Sequence, residues 1–443
     1  MGKSSNIDLT MKIPFCGMME CWNSEVSAIN IPFFHSSKLG NVKVMLFAFV
    51  LTVIFLRSTA QDLVKVVDNP VITAVDVQVG AQRIDQYISL IKDKSVAIIA
   101  NQTSMLGNTH LLDTLLSLGI KVKKVFSPEH GFRGDADAGA NVKTMKDKKT
   151  GLPIISLYGK KNKPLPADLT DVDVIVFDLQ DVGVRFYTYI STLHYVMEAC
   201  AENKKQLIVL DRPNPNGFYV DGPVLEEKFK SYVGLHPVPI VYGMTVGEYA
   251  QMINGEGWLA KKIKCDLKVI TIEGYDHIDL YELPVKPSPN LQTMIAVYLY
   301  PSLALFEGTV MSVGRGTDAP FMVIGHPTLN SVQYSFTPRS IPGASLDPPY
   351  KGQLCHGYDL KTFGDLYIKS IKTLYLYWLQ GTYRDIPEKD KYFNNYFNQL
   401  VGNSTLQQQI KDGTPEAQIR KSWEPALGNF KVMRKKYLLY TDF

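Results

Sequence analysis

The stretch SVAIIANQTSMLGNTHLLDTLLSLGIKVKKVFSPEH, residues 95–130, decides the fold. It begins with SVAIIA, an apolar run of the kind that forms a buried β-strand. THLLDTLLSLG follows, with apolar residues at helical spacing and a glycine that stops the helix. KVKKVFS is a second strand-like run, and it leads into Pro128, Glu129 and His130. The order strand, helix, strand predicts a βαβ unit with two parallel strands.

The same alternation continues along the chain. Further strand-like runs rich in Val and Ile are LPIISLYG, DVDVIVFDLQD, QLIVLDRPNP, VPIVYG and CDLKVITIEG. Helical segments separate several of them, and TVGEYAQMINGEG has a threonine cap and a glycine end. Because the strands are continuously apolar, both of their faces are expected to be buried. The pattern predicts an α/β fold built on a parallel sheet.

The amino-acid composition of the chain changes at about Gly325. The segment that follows is rich in Pro, Gly, Ser and Tyr, and helical stretches such as FGDLYIKSIKTLYLYWLQ and TPEAQIRKSWEPALGNFKVMRKKY come after it. We therefore predict an α/β domain over residues 61–324 and a smaller α+β domain over residues 325–443.

The N-terminal 60 residues resemble an export signal. An apolar run over residues 44–56 is preceded by Lys38 and Lys43 and followed by small residues up to Ala60. This run suits the hydrophobic region of a signal peptide better than a membrane span, and it predicts cleavage near Ala60. A signal peptide does not normally carry such a long leading segment, so either the start codon is placed too early or residues 1–40 are an extension. A buried strand or helix is the alternative. The mature protein is expected to be exported, periplasmic or secreted, without a stable membrane span.

Composition excludes several classes of function. Charged residues make up 20% and hydrophobic residues 45% of the 443 residues, as in ordinary folded proteins. The net charge of +4 is too small to indicate a nucleic-acid partner. The five cysteines have no metal-type spacing, and His130 and His194 have no partner ligands at such spacing. The chain carries no dinucleotide or phosphate-loop motif and no serine nucleophile elbow. We therefore expect no cofactor and no metal.

Polar side chains follow each predicted strand. In parallel α/β sheets, ligands bind outside the carboxyl ends of the strands, so these side chains are expected to line one cleft. Carboxylates, arginines, amides and aromatic rings are the groups that hydrolysis of a glycosidic bond needs. The residues that follow the strands are Asn101 to Ser104, Glu129 and His130, Tyr158, Asp178 to Asp181, Arg185, Tyr187, Asp211, Arg212, Asn214 and Tyr242.

Seven motifs resemble the exo-β-N-acetylmuramidase family of glycoside hydrolases, formerly a domain of unknown function. They are NQTS (101–104), SPEHGFRG (127–134), FDLQDVGVRFYTYISTL (177–193), LDRPNP (210–215), YGMTVGEYA (242–250), PSPN (287–290) and FEGTVMSVGRGTDAPF (306–321). The resemblance implies a Rossmann-like domain, a smaller C-terminal domain and an active cleft between them. It also implies removal of N-acetylmuramic acid from the non-reducing end of peptidoglycan fragments in cell-wall turnover. The partners would be muropeptides or disaccharides that end in this sugar.

The resemblance, with the chemistry, suggests a role for each residue type. Glu129 is the expected general acid, and Asp181, Asp178 and Glu307 are alternatives for a second carboxyl. Asp178 could equally hold its loop through backbone N–H groups. N-acetylmuramic acid carries a lactyl carboxylate, which an arginine fork would recognise. The candidates for that contact are Arg315, Arg185 and Arg212.

Other residues are expected to hold the sugar itself. Amide groups would bind its hydroxyls or acetamido group, and aromatic rings would stack on its face. The predicted set is Asn101, Asn214, Asn290, Tyr187 and Tyr242, with His130 as a further substrate-binding residue.

Alternatives remain at this point. The same cleft would serve a non-catalytic binder of cell-wall sugars, or another peptidoglycan hydrolase such as an amidase or esterase. The lack of a serine elbow and of a metal cluster argues against the amidase and the esterase. Retention, inversion and assistance by the acetamido group all stay open, because the motifs do not fix the distance between carboxylates.

Overall fold

The computed structural model describes residues 69–129, 131–132, 145–159, 161–329 and 332–443. These described residues form one compact unit. The predicted signal peptide with its cleavage site at Ala60, and His130, lie outside the described residues.

The strands are numbered in chain order. They are β1 (Val71–Ile72), β2 (Ser95–Ala100), β3 (Met105–Leu106), β4 (Thr109–His110), β5 (Lys121–Ser127), β6 (Met145–Lys146), β7 (Pro153–Ser156), β8 (Val174–Asp178), β9 (Gln206–Leu210), β10 (Asp266–Ile270), β11 (Leu280–Tyr281), β12 (Val323–His326), β13 (Tyr334–Phe336) and β14 (Cys355–Asp359).

The α-helices are numbered in the same way. They are α1 (Ile88–Ile91), α2 (Leu111–Ser117), α3 (Tyr189–Glu202), α4 (Val246–Gly255), α5 (Met294–Leu303), α6 (Lys361–Leu366), α7 (Ile368–Ile371), α8 (Tyr377–Asp385), α9 (Phe397–Val401), α10 (Thr405–Lys411) and α11 (Glu416–Arg434). Short 3₁₀ helices lie at Gly80–Gln82, Ile84–Gln86, Pro166–Leu169, Glu227–Phe229, Ala260–Lys262, Ala304–Gly308 and Lys389–Lys391.

A seven-stranded sheet forms the centre of the described structure. Its strand order is β10-β9-β8-β2-β5-β7-β6. The neighbours from β10 to β7 are parallel, and β6 is antiparallel to β7. The chain leaves β2 in one direction through β5 and β7, and returns to the other side of β2 through β8, β9 and β10. This is the order of a doubly wound sheet, whose switch point lies between β2 and β8.

Both faces of the central strands are buried, as the continuous apolar runs predict. In β2, Val96 and Ile98 pack with the apolar side of α2 in one core cluster. Ala97 and Ile99 face the opposite way and pack in a second cluster, which includes apolar residues of α3 and α4. The predicted α/β fold on a mostly parallel sheet is therefore confirmed.

Local sequence signals explain where several elements begin and end. The Thr245 hydroxyl accepts a hydrogen bond from the Glu248 N–H at 3.3 Å, and the Glu248 carboxylate accepts one from the Thr245 N–H at 2.8 Å. This capping box starts α4 at the predicted threonine, and α4 ends at Gly255, two residues before Gly257, the last glycine of the predicted stretch. The predicted strand VPIVYG is wrong. Pro239 cannot donate to a strand ladder, and only isolated bridges form at Val241.

The C-terminal part contains a second sheet. The strands β12, β14 and β13 form an antiparallel three-stranded sheet in that order. The predicted helical stretch near residue 370 is broken into α6, α7 and α8, and the break after α7 comes at Lys372, which adopts a left-handed backbone with φ 51°. The predicted domain boundary at residues 324 and 325 falls inside β12 and stays a prediction. No helix of the described residues is both long and apolar enough to cross a membrane.

Candidate active site

A cavity of about 70 Å³ opens at the carboxyl edge of the central sheet. Its lining comes from the loops after β5 and β8, from α5, and from the segments around residues 288 and 315 to 321. β2 lies between β5 and β8, so the cavity sits beside the switch point of the sheet. The lining residues are Glu129, Phe186, Tyr187, Thr188, Tyr189, Ser288, Leu291, Tyr300, Arg315 and Phe321.

Glu129 is half-buried in this cavity, just beyond the end of β5. The Thr188 hydroxyl donates a weak hydrogen bond of 3.4 Å to its Oε2 atom. Burial first, and then the negative charge of Glu129 and a hydrogen bond to it, raise the pKa of Tyr158 well above its ordinary value. Gly131, two residues after Glu129, donates its N–H to the Pro128 carbonyl at 3.2 Å and has φ 76°, a conformation that glycine adopts without strain. The sequence thus delivers one carboxyl group to the cavity on a tight turn.

Arg315 lies in the same cavity and is tied to Glu307. Its Nε atom donates to Glu307 Oε1 at 2.7 Å, and its guanidinium carbon lies 4.9 Å from the centre of the Phe321 ring. Burial would lower the pKa of Arg315, but the charge and hydrogen bond of Glu307 raise it above its ordinary value, and the charge of Glu129 adds to this effect. Within the described residues, the two Nη groups make no hydrogen bond. They are therefore available to an anion.

Aromatic rings form the wall of the cavity. Tyr187 meets Tyr189 edge to face at 4.7 Å between ring centres, and Tyr300 meets Phe321 at 5.0 Å. Tyr187 donates to the Pro287 carbonyl at 2.8 Å, which fixes its ring. Such a wall suits the apolar face of a sugar ring.

Of the predicted site residues, the structure brings Glu129, Tyr187 and Arg315 together in this cavity, with Glu307 directly behind Arg315. The three predicted asparagines have internal partners instead. The Nδ2 atoms of Asn214 and Asn290 donate to the Met244 and Ala344 carbonyls at 2.8 and 2.9 Å.

Asn101 supports the cavity without lining it. Its Nδ2 atom donates to the Tyr189 hydroxyl at 2.7 Å, and its Oδ1 atom accepts from the N–H and hydroxyl of Thr103. The residue after β2 therefore orients an aromatic residue of the cavity wall.

Asp178 and Arg212 neutralise each other. Arg212 Nε lies 2.5 Å from Asp178 Oδ1 and Arg212 Nη2 lies 3.0 Å from Oδ2, in a fully buried fork. A third Arg212 hydrogen bond goes to the Met105 carbonyl at 3.0 Å. Burial is the largest single effect and lowers the pKa of Arg212, but the charge of Asp178, the hydrogen bonds to it and the nearby tyrosines together raise this pKa above its ordinary value. Neither residue lines the cavity, so their geometry is that of a structural pair.

Asp181 is buried below the cavity wall. Its Oδ2 atom accepts a short hydrogen bond from the Tyr242 hydroxyl and one of 2.7 Å from the Gly183 N–H. Burial raises the pKa of Asp181 to about 7, and these hydrogen bonds oppose the rise. Tyr242 donates to Asp181 and does not line the cavity, so its ring does not face a sugar bound there.

Both Nη groups of Arg185 are bound to carbonyls inside the fold. Its Nη1 atom donates to the Pro223 and Val238 carbonyls at 2.9 and 2.7 Å, and its Nη2 atom donates to Leu400 and Val401 at 2.8 and 2.6 Å. The last two carbonyls form the end of α9, whose dipole favours a cation. Burial lowers the pKa of Arg185 to about 9. This arginine connects distant parts of the chain and is not available to a substrate.

Sequence reasoning missed much of the aromatic wall. Phe186 and Tyr189 stand beside the predicted Tyr187 in one motif, and Phe321 closes another, so their motifs could have indicated them. Tyr300 comes from the middle of α5, where an aromatic residue is usually core, and the sequence carries no signal for it. Among the described residues, no group of three or more His, Cys, Asp or Glu side chains is arranged to hold a metal ion.

Comparisons with known proteins agree with this architecture. Sequence models described as "Exo-beta-N-acetylmuramidase NamZ, N-terminal" and "Exo-beta-N-acetylmuramidase NamZ, C-terminal" match residues 96–295 and 298–440. The chain is 40% identical over 374 residues to the peptidoglycan beta-N-acetylmuramidase NamZ of Bacillus subtilis (strain 168), which covers 80% of this chain and 89% of that protein.

Two crystal structures of DUF1343 family proteins from Bacteroides fragilis NCTC 9343 are also similar. One is 46% identical with a TM-score of 0.78, and covers 83% of this chain and 99% of its own. The other is 27% identical with a TM-score of 0.69, and covers 83% of this chain and 100% of its own. The resemblance read from the motifs is therefore confirmed: the chain belongs to the exo-β-N-acetylmuramidase NamZ family of glycoside hydrolases.

Proposed function

We propose that this protein removes β-linked N-acetylmuramic acid from the non-reducing end of peptidoglycan fragments. Family membership supports the reaction, because the curated relative is a peptidoglycan β-N-acetylmuramidase. The single observation that carries the proposal is the cavity that combines Glu129, Arg315 and an aromatic wall. These are an acid, a cation for the lactyl carboxylate and a stacking surface for the ring. Peptidoglycan fragments ending in this sugar are the proposed partners.

Glu129 acts as the general acid in this proposal. Its position on a tight turn at the sheet edge, in contact with Thr188, suits a group that must reach the glycosidic oxygen. Protonation of that oxygen lets the leaving group depart as an alcohol while positive charge develops on the sugar. The surrounding tyrosines keep bulk water away from the bond that breaks.

Arg315 recognises the lactyl carboxylate. Its Nε atom is held by Glu307, which fixes the plane of the guanidinium and leaves the Nη edge for a bidentate contact. N-acetylglucosamine has no carboxylate to offer at this place, so Arg315 also sets the specificity. The other two arginine candidates are bound to internal partners.

Glu307 is the best supported second carboxyl. Burial first, and then the charges of Glu307 and Glu129, raise the pKa of Tyr396 to about 12, which supports placing both carboxyls near this one hydroxyl. Glu307 is paired with Arg315, which lines the cavity, whereas Asp178 is paired with Arg212, which does not, and Asp181 is enclosed by Tyr242 and a backbone N–H group. In the competing mechanism, the acetamido group of the substrate is the nucleophile and Glu307 only positions Arg315.

The location and the smaller domain complete the proposal. Export by the predicted signal peptide would bring the enzyme to its substrate in the cell wall. Residues 325–443, with the sheet of β12, β13 and β14, would form the smaller α+β domain, and Tyr396 would be its contribution to the cleft.

The test compares chromogenic aryl β-N-acetylmuramide with the matching β-N-acetylglucosaminide. The proposal expects wild type to release the chromophore from the muramide alone, and Glu129→Gln to lose most of its activity on the disaccharide N-acetylmuramic acid–N-acetylglucosamine, whose leaving alcohol needs a proton. Release from the glucosaminide alone would refute the proposed specificity. A protein that binds both sugars and cleaves neither would be a non-catalytic binder.

A further inference from the structure

A second cavity of about 280 Å³ lies beside the proposed active site and is not used by the mechanism above. It is formed by two segments, residues 228–230 and residues 393–407. Its lining is rich in amides and carries two lysines and two phenyl rings: Lys228, Phe229, Lys230, Phe393, Asn394, Asn395, Asn398, Gln399 and Gln407. We call it the second cavity.

Backbone and side-chain contacts connect the second cavity to Glu307. The Asn394 N–H donates to the Gly308 carbonyl at 2.9 Å, and its Nδ2 atom donates to the Glu307 carbonyl at 3.2 Å. Glu307 in turn holds Arg315 in the first cavity. One side of the second cavity is thus bonded to the segment that carries an active-site carboxyl.

The other side of the second cavity leads to Glu129. Lys230 is two residues before Tyr232, whose hydroxyl lies 3.2 Å from the Thr192 hydroxyl in the first turn of α3. Burial first, and then the charge of Glu129, raise the pKa of Tyr232 to about 12. The segment at residues 228–230 is therefore connected through Tyr232 to the first turn of α3, which follows Thr188, the hydrogen-bond partner of Glu129. The segment at residues 393–407 is bonded to the chain around Glu307, so these contacts join the two cavities.

The chemistry of the second cavity suits an acidic saccharide. Asn398 Nδ2 donates to Gln407 at 2.8 Å, whereas Asn398 Oδ1 is buried without a hydrogen-bond partner among the described residues. Such an acceptor calls for a donor such as a hydroxyl or an amide N–H. Among the described residues, Lys228 and Lys230 form ion pairs with exposed glutamates at 3.1 and 3.4 Å, and Lys228 also lies 5.0 Å from the centre of the Phe229 ring. Such exposed ion pairs give way readily to another carboxylate.

We propose that the second cavity is the subsite for the leaving-group side of the substrate, where amides and rings hold the sugar and Lys228 and Lys230 bind a carboxylate further along. This inference rests on the proposed function, because it takes the first cavity as the site of the terminal sugar. The carboxylate has two sources in peptidoglycan: the lactyl group of the next N-acetylmuramic acid, or the stem peptide attached to it.

The experiment compares substrates of increasing length. Rates are measured on the aryl muramide, on the peptide-free trisaccharide N-acetylmuramic acid–N-acetylglucosamine–N-acetylmuramic acid, and on its peptide-bearing form. The variant is Lys228→Ala/Lys230→Ala. Its control is Lys431→Ala/Lys435→Ala, which removes the same charge from exposed positions outside the second cavity.

The kcat/KM of the lysine variant on a long substrate is expected to fall on the order of tenfold, because a hydrogen bond to a charged group is lost. Its kcat/KM on the aryl muramide should be unchanged. A loss on the peptide-free trisaccharide identifies the lactyl carboxylate, and a loss on the peptide-bearing form alone identifies the stem peptide. Wild-type rates on all three substrates would overturn the subsite.

Calorimetry separates this inference from the proposed function. Glu129→Gln protein is titrated with the peptide-free and the peptide-bearing trisaccharide, with and without the lysine substitutions. Weaker binding of either fragment by the lysine variant supports the subsite even if wild type cleaves no muramide, in which case the proposed function alone fails. Equal binding of both fragments by both proteins overturns the subsite.

Discussion

Replacing Arg315 should remove the preference for N-acetylmuramic acid. In the proposed complex, the Nη edge of Arg315 makes a charge-assisted contact with the lactyl carboxylate, in a cavity where the arginine side chain is only 22% exposed. Hydrogen bonds to charged groups contribute about 1.5–3 kcal/mol. Since about 1.4 kcal/mol corresponds to a factor of ten, Arg315→Met should lower kcat/KM on the aryl muramide roughly 10-fold to 150-fold.

The assay measures kcat/KM on the aryl muramide and the aryl glucosaminide in parallel. The ratio of the two is the informative quantity, because a general disturbance of the site lowers both. Arg315→Lys keeps the charge without the planar fork and should fall between wild type and Arg315→Met. Arg339→Met is the matched control, since Arg339 is an exposed arginine paired with Asp318 at 2.6 Å, outside the cavity. An unchanged ratio in Arg315→Met would refute the reasoning.

Three further predictions concern the stability of the fold, each read from the free energy of unfolding in denaturant. Arg185→Met removes the side-chain donor from four buried carbonyls, of which Val238 keeps the Leu225 N–H, and should cost roughly 3–5 kcal/mol. A cost under 1 kcal/mol would contradict the role assigned to Arg185. Burial raises the pKa of Asp181 to about 7 and that of Asp211 to about 6, both above the ordinary 3.8. The stability that protonation of these groups provides is therefore complete below about pH 4 and is lost as the pH rises to 7. In Asp181→Asn, the loss of unfolding free energy between about pH 4 and pH 7 should be smaller than in wild type by roughly 2–4 kcal/mol. If the variant loses as much stability as wild type, groups other than Asp181 cause the pH dependence. Tyr440→Phe removes the 2.6 Å hydrogen bond to Asp211 Oδ2 and should cost about 1–3 kcal/mol, whereas a neutral result would show that water replaces the hydroxyl.

The sheet could be predicted because its signals are local. Runs such as SVAIIA and DVIVF are apolar on both sides, which only a doubly covered parallel strand explains. VPIVYG failed because its composition suits a strand while Pro239 removes a ladder donor. The carbonyls of Val238 and Ile240 are bound instead by the side chain and backbone of Arg185.

The site could be predicted only in part. The expectation that residues after parallel strands line the cleft correctly selected Glu129 and Tyr187, and the motif around Arg315 correctly indicated the arginine of the cavity. The same logic also selected Asn214 and Arg212, whose side chains are satisfied inside the protein. A sequence shows that a polar residue follows a strand. It does not show whether a carbonyl or carboxylate far away in the chain will be the hydrogen-bond partner of that side chain.

The aromatic residues around Glu129 could not be predicted from the sequence for a related reason. Tyr300 and Tyr396 lie far from Glu129 in the chain and reach it through α5 and through the segment before α9. Neither follows a strand of the central sheet. Their approach depends on how the C-terminal helices pack, which no local pattern specifies.

The most direct test of the central claim is the dependence of Glu129→Gln on the leaving group. A general acid matters most when the departing oxygen is a poor leaving group, and its removal typically costs about 10²–10⁴ in rate. The account predicts a loss of this size on the disaccharide N-acetylmuramic acid–N-acetylglucosamine and a much smaller loss on the dinitrophenyl muramide, whose phenolate leaves without a proton. An equal loss on both substrates, or none on the disaccharide, would contradict the assignment of Glu129 as the general acid.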